Sequence, residues 1–114
     1  MTLGDQMMES GHKREERFMQ FTRRLRPSIR SGEITTSIRI WQSPRVKVGN
    51  RYRMEDGVIA VDAIHEIALE DITPRLVRES GFSSVPDLLR VAKHGSGVHV
   101  YLVQFHFEGA SAER

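Results

Sequence analysis

Residues 31 to 41 read SGEITTSIRIW, a stretch in which apolar and polar side chains interleave. With the period of two that a β-strand imposes, Thr36, Ile38 and Ile40 share one face, and Thr35, Ser37, Arg39 and Trp41 share the other. One face packs; the second is polar, with an aromatic at its end. Upstream, Phe18, Phe21 and Leu25 recur at spacings of three and four and predict a helix over residues 15–26, with a short strand over 18–21 as the alternative. Pro27 divides this region and starts a short helical turn over 27–31, with Gly32 as its left-handed cap.

After Trp41, Ser43-Pro44 breaks the strand, and residues 46–48 form a short extended piece. A turn at Gly49-Asn50 leads into a strand over 51–54. A second turn at Asp56-Gly57 precedes VIAVDAIHEIAL, whose alternation puts Ile59, Val61 and Ala63 on one side and Val58, Ala60, Asp62 and Ile64 on the other. Then the period changes. ITPRLVRES carries Pro74 in its first turn and stops at Gly81-Phe82; SSVPDLLRVAKHG starts at Ser84 with Asp87 three residues on and ends at Gly95. Residues 98–107 form a closing strand too apolar for an edge, with Tyr101, Val103, Phe105 and Phe107 on one side. The order predicts an α+β fold with mostly antiparallel pairing.

At 114 residues and 39% apolar content the chain has material for one domain with one modest core. The expected division is a flexible tail over residues 1–14, the domain over 15–107 and a second tail over 108–114. There is no cysteine, which removes disulfides and thiolate metal sites and fits a reducing, cytoplasmic setting. No apolar run has the length of a membrane span, so no membrane partner is expected, and a monomer is the expected state. The net charge of +2 hides an asymmetry. Residues 13–53 hold 12 of the 17 basic side chains and 3 of the 15 acids, whereas residues 54–114 hold 5 and 10. A basic half suits a polyanion such as RNA or a nucleotide; the alternative is that the two halves neutralise each other on folding.

The chain has no Walker loop, no GxGxxG, no HExxH and no nucleophile elbow. Its five histidines have no metal-ligand spacing, so neither a metal nor a cofactor is expected. GEITTSIRIW, followed by a Pro, VKVG, a turn, a strand, ITPRLVRESGF and YLVQFHF, resembles the ASCH domain family of the PUA-like superfamily over about residues 18–107. The family's G-x-K-x-x-T-x-R signature falls on Gly32, Ile34, Ser37 and Arg39. VKVGNRY looks like the turn before the family's second barrel strand, and Glu79 stands where the family often has an acid. The resemblance implies a small, mostly antiparallel β-barrel flanked by short helices, with RNA or nucleotide-related ligands in the cleft between them. In the branch of the family that deacetylates N(4)-acetylcytidine, the signature lysine is the nucleophile; here Ile34 holds that place, and an isoleucine side chain cannot attack an amide.

Binding is the simpler reading. Arg39 offers a planar fork, Ser37 and Thr35 offer hydroxyls, Trp41 or Tyr52 offers a face for a base, and Arg45, Lys47, Arg51 and Arg53 offer positive charge. The candidate ligand set is Thr35, Ser37, Arg39, Trp41, Arg45, Lys47, Tyr52 and Glu79, with Arg51 and Arg53 adding charge at the entrance. Pairing of Arg39 with Glu79, tying strand to helix, is the structural alternative. A hydrolase of the same cleft, either a ribonuclease or an altered amidohydrolase, would draw on Ser37, Glu79 and Lys47. A third possibility is an interaction module whose basic segment over 17–30 contacts a protein.

Overall fold

The β-branched and aromatic runs form four strands, β1 (Thr36–Trp41), β2 (Arg51–Met54), β3 (Gly57–Ile67) and β4 (His99–Gly109). They pair antiparallel in the order β1-β4-β3-β2. The computed structural model describes residues 19–93 and 97–109. The class is α+β, and the sheet curls through half a barrel, leaving β1 and β2 as its edges. As its apolar sequence demands, β4 is central; it runs to Gly109, two residues past the expected end. Edge strand β2 has four residues, and Arg51 and Arg53 point outward, which makes it a poor template for further pairing.

The helices are short. A 3-10 turn, Arg23–Leu25, runs into α1 (Arg26–Ser31), which stops at left-handed Gly32; a second 3-10 turn, Leu69–Asp71, precedes α2 (Pro74–Glu79) and α3 (Val85–Ala92). The helix expected over residues 15–26 begins only at Arg23. Residues 15–18 lie outside the described part, as do the tail over 1–14, His94-Gly95 and residues 110–114. Across Met19 to Thr22 burial alternates, with Met19 and Phe21 in the core and Gln20 and Thr22 exposed. Residues 19–22 form neither helix nor strand, and burial of side chains two positions apart, which a helix would send to different sides, outweighs the helical spacing.

The sheet has a core on each face. Ser37, Arg39 and Trp41 of β1 lie beside Val103, Tyr101 and His99 of β4. Over this face pack Met19, Phe21, Leu25, Ile29 and Val46. Ile38 and Ile40 share the opposite face with Val100, under Val77, Leu88 and Ala92 of α2 and α3. The division of β1 therefore follows its sequence. That of β3 does not. Its register on β4 slips between Val61 and Ala63, so Asp62 is an extra, bulged residue. The bulge moves Ile64 onto the face of Ile59 and Val61, opposite Val103, and sends Ala63 to the other. An even period of two fails at that residue.

Two tight places shape the turns. The β2–β3 reversal is centred on Glu55 and Asp56 rather than on Asp56-Gly57, and Glu55 carries the positive φ of 57°. Gly57 already belongs to β3, where a Cβ would stand 2.4 Å from the Phe107 ring and 2.5 Å from the Glu108 carbonyl oxygen. Arg30 of α1 clamps this turn through ion pairs with Glu55 and Asp56. The end of α2 is a Schellman motif: the Gly81 N–H donates to Arg78 O at 2.9 Å and the Phe82 N–H to Val77 O at 3.0 Å. Gly81 has φ 93°, and a Cβ there would meet Leu25 at 2.7 Å and Ile34 at 2.8 Å. Among the described residues no helix is long and apolar enough to cross a membrane, and no group of three or more His, Asp or Glu is arranged to hold a metal.

Gly81→Ala should cost about 3 kcal/mol in urea unfolding, since a left-handed Cβ and two overlaps act together. Gly49→Ala, at φ 91° with open space around it, should cost only about 1 kcal/mol. Exposed on the sheet face that also carries Val100, His106 has its Nδ1 2.9 Å from Asp62 and its Nε2 2.8 Å from Glu108. Asp62 and then Glu108 hold the imidazolium and raise its pKa above the ordinary histidine value. Arg51 and then His106 pull Glu108 down to about 2. The His106 contribution is therefore complete below the ordinary histidine pKa and fades as pH rises through the raised value. Denaturation midpoints of the native chain should fall between about pH 6 and about pH 9 by more than those of His106→Gln.

Candidate functional site

Alternation on β1 places Ser37 and Arg39 on the face that packs against residues 19–25, and both are buried. A buried guanidinium needs acceptors. The Arg39 Nε–H donates to Ser37 Oγ at 2.8 Å, and its Nη2 donates to the Gln20 carbonyl at 2.9 Å. The Phe21 ring lies under the charge, 4.8 Å from centroid to guanidinium carbon. Burial pushes the Arg39 pKa down to about 10, so it stays a cation at neutral pH.

Beside this strand lies a hollow of about 560 Å3. The strand wall is Ser37, Arg39 and Trp41; the wall from residues 20–25 includes Phe21; the helical wall includes Ser80 and Phe82. Trp41 is a wall rather than an exposed platform, since it is buried with its ring 5.9 Å from that of Tyr101. Exposed Arg45 also lines the hollow. Arg24 joins the walls outside it: its guanidinium sits 5.3 Å from the Phe82 ring centroid and donates to Gly81 O at 3.2 Å.

The chain's arrangement brings only part of the expected set here. Ser37, Arg39, Trp41 and Arg45 line the hollow; Thr35, Lys47, Tyr52 and Glu79 are not among its lining residues. Glu79 does not meet Arg39. It is exposed and accepts from Arg75 Nε at 2.9 Å, because a partner one turn away on the same helix is reached without crossing the core. Tyr52 is buried in the sheet's core, where its Oη accepts from the Lys47 N–H at 3.0 Å and holds the loop after Trp41. Lys47 and Thr35 are exposed, the Thr35 carbonyl being taken by the Phe105 N–H. The basic half also spends part of its charge internally. Arg26 and Arg30 pair with Glu55, Arg30 with Asp56, and Arg51 with Glu108.

Ser80 is the residue that sequence reasoning passes over. It caps α2, is buried, lines the hollow, and its Oγ has no hydrogen-bond partner among the described residues. An orphaned buried hydroxyl costs about 1–3 kcal/mol. Its only sequence signal was its place before the left-handed glycine of the ESGF stop. Phe21 was visible as apolar, but its position against Arg39 was not.

Compared with profiles of known protein families, with curated proteins and with solved structures, the chain matches none.

Replacing Arg39 by Met should lower stability by about 3 kcal/mol, since the Gln20 carbonyl loses a charged donor inside the protein. Ser37→Ala should cost about 1 kcal/mol, as one hydrogen bond is removed and the guanidinium keeps Gln20. Urea unfolding of the two variants checks the order.

Proposed function

We propose that the hollow beside β1 receives a nucleoside or nucleotide, free or at the end of an RNA strand, and that the fold is a PUA-like ASCH domain. The observation that carries this reading is the composition of the hollow. Three aromatic side chains, Phe21, Trp41 and Phe82, share it with a buried cation and two serine hydroxyls. Flat, heteroatom-rich ligands need that mixture, with apolar walls for the ring faces and a few fixed polar groups for the edges. The volume of about 560 Å3 falls in the range of small-molecule sites. Gly32 and Arg39 match the family signature, Ser37 supplies a hydroxyl where the signature has threonine, and Gly32 closes α1 at the point where the chain turns toward β1. Exposed Arg45 adds positive charge for a phosphate. Neither the Glu79 carboxylate nor the Lys47 amine lines the hollow, so its described residues favour binding over hydrolysis.

The single tryptophan of the chain lies in the wall, which makes its fluorescence a direct reporter. Titration with uridine, cytidine, their 5′-monophosphates and a short single-stranded RNA should quench Trp41 and saturate. Arg45→Glu should weaken the monophosphates and the RNA several-fold and leave the nucleosides unchanged. Raising salt should weaken RNA far more than uridine if only the strand's phosphates add contacts. Flat fluorescence together with no heat of binding for every probe at millimolar concentration would overturn the reading.

A further inference from the structure

We infer that Ser80 determines specificity in the hollow by hydrogen-bonding the polar edge of the bound ring. This rests on the reading that a nucleoside binds there. Among the described residues the Ser80 Oγ is the buried side-chain polar atom without a partner, and it belongs to a residue of the hollow's lining. The backbone around it is fixed. Its N–H donates to Leu76 O at 3.0 Å and Val77 O at 3.2 Å, and the next residue, Gly81, is left-handed and seated against Leu25 and Ile34. The residue after that, Phe82, contributes its ring to the same wall. With the backbone fixed, rotation about the Ser80 Cα–Cβ bond is the freedom left to the hydroxyl, and that rotation turns it toward a ligand in the hollow.

Fold stability gains nothing from a hydroxyl in this position. A methyl would fill nearly the same space without the cost of withdrawing an unpaired polar group from water. What a hydroxyl adds is one donor and two acceptor lone pairs, directed from the helical side. Across the hollow, Ser37 Oγ is already an acceptor for Arg39, which leaves its O–H hydrogen for a ligand acceptor. A pyrimidine or purine carries both kinds of group on its edge: a carbonyl oxygen or ring nitrogen to accept from Ser37, and an adjoining N–H and acceptor pair to meet Ser80. An apolar ring of the same size would leave the Ser80 hydroxyl unpaired and is selected against on that ground.

Ser80→Ala separates this role from a structural one because the two predict opposite signs. In the protein without ligand, the urea midpoint of Ser80→Ala should equal or exceed that of the native chain. In titrations followed by Trp41 fluorescence, the same variant should bind uridine about tenfold more weakly. A lowered midpoint would mean that the hydroxyl already has a partner in the free protein and would overturn the inference. Unchanged uridine affinity would overturn it as well, while leaving nucleoside binding intact. Failure of the native chain to bind uridine, cytidine or their monophosphates would overturn both, so the two failures are distinguished by the native titration alone.

Discussion

A guanidinium held out of water organises this protein. Arg39 sits on an edge strand, yet it is buried, because residues 20–21 lie across it: Gln20 supplies a carbonyl and Phe21 a ring face. A charge so placed must keep its acceptors or incur a desolvation cost of several kcal/mol, so the segment entering the domain and the first strand are bound to each other. That bond builds one wall of the hollow. The opposite wall is brought in by Leu25, which packs against Gly81, and by Arg24, which reaches the Gly81 carbonyl and Phe82. A short stretch on either side of Phe21 therefore joins the sheet to the helical corner.

The sheet beneath is a compromise between two cores. β1 and β4 alternate cleanly and serve both faces, with aromatic and aliphatic residues under residues 19–29 on one side and Ile38, Ile40 and Val100 under α2 and α3 on the other. The bulge at Asp62 lets β3 feed Ile59, Val61 and Ile64 to a single face and adds local twist to a sheet that is already curling. It also turns a carboxylate outward to His106, which joins Glu108 and Arg51 in a polar cluster across β3, β4 and β2.

Charge is distributed along the sequence in blocks and is partly cancelled in space. Arg26, Arg30 and Arg51 from the basic half meet Glu55, Asp56 and Glu108 from the acidic half. These are exposed pairs of small individual worth, but they reduce the excess on which an argument for polyanion binding from composition would lean. What supports ligand binding is instead local, the conjunction of aromatic rings, a buried cation and an unpaired hydroxyl around one cavity.

The residues themselves determine the parts of this structure that depend on near neighbours. The two faces of β1, the central position of β4, Gly32 as a cap, the stop at Gly81-Phe82 and the Ser84 cap of α3 all follow from side-chain period and backbone preference within a few residues. Tertiary structure alone decided the rest. Met19 and Phe21 were both buried in the core, β3 took a bulge to match β4, Glu79 found Arg75 in place of Arg39, and Ser80 was buried beside the hollow. Its walls are joined by contacts between residues 19 and 57 positions apart, as in Arg39 with Gln20 and Arg24 with Gly81. No local period carries such information, because it arises only when the core closes and each polar group must find what partner the packing leaves within reach.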